Sequence, residues 1–63
     1  MTVATKIKDF LHNKGITQVW LAQKSGIPIV KLNLVLNGKR KLGMDEYAAI
    51  ITALDVSADT FIN

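Results

Sequence analysis

The sequence predicts an all-α domain built from five short helices. Three observations carry that expectation. Apolar residues recur at helical spacing between glycines at 15, 26, 38 and 43. No stretch shows the strict apolar–polar alternation of a half-buried strand. The only proline, Pro28, stands where a helix can begin. At 63 residues the chain has room for one domain, 1–63, and it shows no repeat, low-complexity segment or linker.

The first helix is expected at about 3–13. Val3, Ile7, Phe10 and Leu11 fall at i, i+4, i+7 and i+8, one face of a helix. Gly15 suits its end, because glycine accepts the left-handed conformation. Thr17 is a good N-cap for a second helix at about 18–24, with Leu21 and Ala22 inward. Ser25-Gly26-Ile27 breaks the chain. A third helix follows at about 28–36, with Pro28 in its first turn and Asn37-Gly38 closing it.

The fourth helix is expected at about 44–54, with Met44, Tyr47, Ile50, Ile51 and Leu54 on one face. Asp45 and Glu46 lie in its first turn, where the helix dipole favours negative charge. Val56 packs in the connection. Ser57 can cap a fifth helix at about 58–62, which contributes Phe61.

Composition narrows the possible functions. The cysteine count is zero, which excludes a disulfide scaffold and a cysteine-ligated zinc site. No apolar run approaches the roughly 18 residues of a membrane span, and MTVATKIKDF has no signal-peptide core. A cytoplasmic location without membrane attachment is the expectation. The net charge of +3 is unevenly distributed. Residues 1–41 hold all eight Lys and Arg and one acid, Asp9, for a net +7. Residues 42–63 hold four acids and no base, for a net −4. Such a split suits contact with a polyanion or an acidic partner, and it also suits ordinary solvated lysines.

The functional constellation is 18–37, QVWLAQKSGIPIVKLNLVLN. A helix-turn-helix needs a small residue where its helices touch, a glycine in the turn and inward apolar residues. Ala22 meets the first need and Gly26 the second. Leu21, Ile27, Leu32 and Val35 meet the third. I-K-D-F in the first helix, G-I-T-Q-V-W-L-A-Q-K-S-G-I, N-G-K-R-K and A-L-D-V-S-A-D-T-F follow in order across nearly the whole chain. With these motifs the chain resembles the lambda repressor/Cro-like, or XRE-type, helix-turn-helix domain of bacterial and phage transcription regulators.

The resemblance implies double-stranded DNA as partner, with phosphate anchors at two places. Gln18 would touch the backbone from the start of the second helix. The Asn37-Gly38-Lys39 turn would offer amides and positive charge, with Arg40 and Lys41 nearby. The third helix would lie in the major groove, with the chain acting as a dimer on a two-fold site.

Two departures from the family pattern stand out. The family often has an arginine at the position of Leu11 and a glutamate at that of Leu36, forming a buried ion pair. Both are leucine here, so the pair is exchanged as a unit and both residues are assigned to the core. The second departure is in the groove-facing set, Pro28, Ile29, Val30, Asn33 and Leu34, with Lys31 on the flank. Only Asn33 can pair bidentately with adenine, and Ile29, Val30 and Leu34 can at most meet thymine methyls. Val19 and Trp20 add apolar bulk at positions the family leaves polar. With Ile29, Val30 and Leu34 they form a candidate apolar patch, and exposed patches of this kind mark protein interfaces. The same side chains could instead pack on one another or in a homodimer.

No catalytic or metal constellation emerges, and no cofactor or small-molecule ligand is expected. His12 is the only histidine and has no second ligand at suitable spacing. Ser25 and Ser57 have turn and cap roles and no base to activate them. Asp45 and Glu46 are adjacent and point apart on a helix. An enzyme is not expected.

Two functional expectations follow. In one, the domain is a small phage or mobile-element transcriptional regulator that binds DNA. In the other, it is an antirepressor or modulator that grips another regulator through Val19, Trp20, Ile29, Val30 and Leu34. If most of those five are exposed and contiguous in the folded chain, the second overtakes the first. An antidote domain is a third class, disfavoured because almost nothing follows residue 62 to wrap a toxin.

Overall fold

A computed structural model describes residues 2–62. Four helices follow one another, with no strand among the described residues: α1 (Val3–Lys14), α2 (Gln18–Ser25), α3 (Ile29–Leu36) and α4 (Met44–Leu54). No helix is long and apolar enough to cross a membrane.

Local chemistry sets the boundaries. Thr2 opens α1 in extended geometry, and its hydroxyl accepts the Thr5 N–H at 3.1 Å. Thr17 does the same for α2, accepting the Trp20 N–H at 3.0 Å. Gly15 ends α1 at φ +70°, and Gly26 ends α2 at φ +77°. A β-carbon at either position would strain the left-handed backbone. Ser25 completes the turn after α2, with its hydroxyl donating to the Leu21 carbonyl at 2.7 Å.

Pro28 lies just outside α3 rather than in its first turn. Its ψ of 139° is extended, while its carbonyl already accepts the Leu32 N–H at 2.9 Å. At the start of α4, the Gly43 N–H donates to Glu46 Oε1 at 2.8 Å. Asp55 ends α4 in the left-handed region at φ 57°, a conformation that Asp tolerates better than most residues.

The expected fifth helix is absent. Residues 58–62 form successive turns, closed by Thr60 N–H to Ser57 C=O and Ile62 N–H to Asp59 C=O. So short a segment gains too few bonds to offset helix nucleation. The Ser57 hydroxyl also bonds locally to Asp59 Oδ1 at 2.7 Å, a competitor to helical pairing. Phe61 is nevertheless buried, as expected, and meets Phe10 edge-on with ring centroids 5.4 Å apart. The Tyr47 hydroxyl donates to the Ala58 carbonyl, fastening the terminal turns to α4.

The core draws on every helix. α1 supplies Ile7 and Leu11, α2 supplies Leu21 and Ala22, and the turn supplies Ile27. α3 adds Leu32 and Leu36, α4 adds Ile50, and the terminal turns add Phe61. α2 packs on both α3 and α4, and α1 packs on α3. Met44 departs from its expected place on the inner face of α4: it is 84% exposed. As the first residue of the helix it projects beyond the last layer that could cover it.

Leu11 and Leu36 both belong to the buried cluster. Introducing Leu11→Arg alone would strand a charge there and cost about 3–5 kcal/mol. That rivals the whole stability of a domain this small. Circular dichroism should therefore find Leu11→Arg and Leu36→Glu each largely unfolded at 25 °C. The double variant should recover helicity. Two single variants that melt with the parent would contradict this account of the core.

Candidate nucleic-acid interface

α3 has only eight residues, so its inner row decides its outer row. Leu32, Val35 and Leu36 are buried, which turns Val30, Asn33 and Leu34 toward solvent by the 100° step between residues, while Ile29, near the side of Leu36, is exposed as the first residue of the helix. The N-terminal end of α2 flanks this face. Val19 and Ile29 line one shallow groove with Pro28.

A hydrogen-bonded polar chain runs across the same face. Asn33 Nδ2 donates to Gln18 Oε1 at 3.2 Å, linking α3 to the first residue of α2. Asn37 Nδ2 donates to Asn33 Oδ1 at 3.1 Å and to the Asn33 main-chain carbonyl at 2.9 Å. Lys8 Nζ donates to Asn37 Oδ1 at 2.7 Å, which brings in α1. Three of the sequence-derived residues, Gln18, Asn33 and Asn37, are thus joined. Lys8 was not among the candidates. It lies 29 residues from Asn37, and no local pattern marks it.

The turn after α3 is used differently from the expectation. The Gly38 N–H donates to the Val35 carbonyl at 3.1 Å, and the Lys39 N–H donates to the Leu34 carbonyl at 2.9 Å. Gly38 is left-handed at φ +73°. This is the Schellman arrangement, and it satisfies two helix-end carbonyls. The Asn37 N–H is likewise bonded, to the Asn33 carbonyl. The amides of Asn37, Gly38 and Lys39 are therefore engaged within the protein, and what the turn presents outward is side chains. Lys39, Arg40 and Lys41 are all exposed.

Lys31 points the other way. Its Nζ lies 2.7 Å from Glu46 Oε2, so its charge is matched against α4. The half-buried Glu46 carboxylate thereby receives two donors, the Lys31 ammonium and the Gly43 N–H.

All five apolar candidates are exposed, from 36% at Leu34 to 70% at Val30. Val30 and Leu34 stand one turn apart on α3. Trp20 follows Val19 directly and so projects about 100° away from it around α2. Ile29 and Asn33 are also one turn apart. The face therefore interleaves apolar side chains with the polar chain.

His12 is exposed in the last turn of α1. No group of three His, Cys, Asp or Glu is placed to hold a metal ion among the described residues. Comparison with family models, curated proteins and solved structures gives no match.

The Glu46 pairing has a pH consequence. Its pKa is lowered from the ordinary 4.5, first by the hydrogen bond from Lys31 and then by the Gly43 N–H, with desolvation opposing. Folding favours the carboxylate, so this contribution is complete above about pH 4.5 and is lost as pH falls through the lowered folded value. NMR titration of the Glu46 side chain should give a midpoint below 4.5 that rises toward it in Lys31→Met. An unchanged midpoint would show that the pair does not persist in solution.

Proposed function

We propose that the chain is a small transcriptional regulator of the phage or mobile-element kind that binds double-stranded DNA through a helix-turn-helix, α2–turn–α3. The observation that carries this reading is the polar chain Gln18–Asn33–Asn37–Lys8 on the outer face of α3, with exposed Lys39, Arg40 and Lys41 in the segment that follows the helix. Carboxamides can read base edges, and flanking cations gain from counterion release at phosphate. Gly26 in the turn and Ala22 between the helices suit the motif.

The division of labour follows from chemistry. Lys39, Arg40, Lys41 and the N-terminus of α2 with Gln18 set position on the backbone. Asn33 reads one base, and Ile29, Val30 and Leu34 meet thymine methyls. With so few polar readers, DNA shape supplies part of the specificity. Lys31, held by Glu46, contributes little to phosphate binding.

A second reading is favoured by the exposure of Val19, Trp20, Ile29, Val30 and Leu34. In it, that surface docks on another regulator protein and alters its DNA binding. Aromatic anchors such as Trp20 are frequent hot spots in interfaces of this kind.

Titration by fluorescence anisotropy separates the two. Direct binding should give log K falling linearly with log salt, with a slope of about 0.9 per phosphate neutralised. Replacing Lys39, Arg40 and Lys41 by Ala should reduce that slope by about one unit per residue. A flat salt dependence, or no duplex bound at low salt, would sink the DNA reading. In the second reading, Ile29→Gln with Leu34→Ser should abolish release of a repressor from its operator while the far-ultraviolet dichroism stays unchanged. Release that persists in that variant would refute it.

A further inference from the structure

We infer that Lys8 and Asn37 are positioning residues that lock the Asn33 carboxamide in one orientation, so that an A·T pair is distinguished from its T·A reversal. The inference rests on the DNA reading above and assigns the specificity of that same face.

A carboxamide carries two N–H donors on one side and two lone pairs on the other, and turning it over exchanges them. Asn37 cannot turn over without loss, because both its ends meet groups of a single character. Lys8 Nζ, at 2.7 Å from Asn37 Oδ1, can only donate. The Asn33 main-chain carbonyl, at 2.9 Å from Asn37 Nδ2, can only accept. Asn37 therefore presents its Nδ2 to Asn33.

That choice propagates. Asn33 must offer Oδ1 to Asn37, at 3.1 Å. Its Nδ2 then faces Gln18 Oε1, at 3.2 Å. Each atom of Asn33 uses only half of its capacity, so one N–H and one lone pair are left for a ligand in a fixed order. Gln18 is oriented in turn, with its Nε2 free to donate.

The ligand that matches is the major-groove edge of adenine, where N7 accepts and N6 donates. Guanine offers two acceptors there and fails to satisfy the Asn33 oxygen. An unlocked carboxamide could present its two atoms in either order. A locked one fits adenine on one strand only. Val30 and Leu34, exposed beside Asn33, add contacts suited to thymine methyls.

The experiment takes a duplex that the wild-type chain selects from a randomised pool at low salt, then reverses each A·T pair in turn. One position per half-site should lose about tenfold in affinity on reversal, the scale of one bidentate contact. Lys8→Met should cut that ratio to about twofold or less, and Lys8→Arg, which keeps a donor-only group, should restore it. In the free protein, Lys8→Met should shift the side-chain NH2 resonances of both Asn37 and Asn33 while the melting temperature holds. Equal weakening on both duplexes by Lys8→Met would make Lys8 a phosphate contact only and overturn the inference. So would Asn33 resonances that do not move. Failure to select any duplex would instead remove the DNA reading itself and the inference with it.

Discussion

An eight-residue helix is unstable alone in water, so α3 owes its existence to the burial of Leu32, Val35 and Leu36. That burial is the constraint on which the candidate interface depends. It fixes the rotation of α3 about its axis and thereby sends Val30, Asn33 and Leu34 outward. Leu11, buried in the same cluster as Leu36, extends this apolar row into α1. With the inner row fully apolar, no polar group beneath α3 competes for the side chains on top.

The charge asymmetry acquires a different meaning once the helices are placed. α1 to α3 and the following turn carry the eight basic residues, and α4 with the terminal turns carries four of the five acids. The excess is not all free, however. Lys31 is matched by Glu46, and Lys8 is held on Asn37. Lys14 lies 5.9 Å from the centre of the Phe10 ring. The exposed run Lys39–Arg40–Lys41 is where positive charge is most concentrated, although Arg40 also helps to hold the Glu46 carboxylate ionised. Long-range attraction to a polyanion would act chiefly there, while the face of α3 offers a mixture of amide and hydrocarbon.

Much of the fold could be read from local chemistry. Thr17 looks like an N-cap because its hydroxyl reaches an amide three residues on, and Gly15 and Gly26 look like helix ends because glycine relaxes at positive φ. Asp55 ends α4 in the same conformation but carries no comparable mark. The 58–62 segment misled because Ser57 does bond locally, yet only turns follow. Met44 misled because its spacing matched an inner row that does not extend over it. In the candidate interface, Gln18, Asn33 and Asn37 stand out in the sequence as polar candidates. Their mutual bonding does not, nor does the use of the Gly38 and Lys39 amides inside the helix cap.

By itself, the sequence determined much of what depends on neighbours three to five residues apart: the helix ends marked by Thr17, Gly15 and Gly26, most of the apolar faces, and the all-α class. Those features follow from hydrogen bonds and packing within one turn. Only the tertiary structure decided which polar groups meet. Lys8 reaches Asn37 because α1 packs on α3, and Lys31 reaches Glu46 from a neighbouring helix. Such pairs depend on how helices are rotated and docked, and periodicity along one helix carries no record of the other. The candidate interface is thus local in the residues that suggest it and a tertiary construction in its hydrogen bonds.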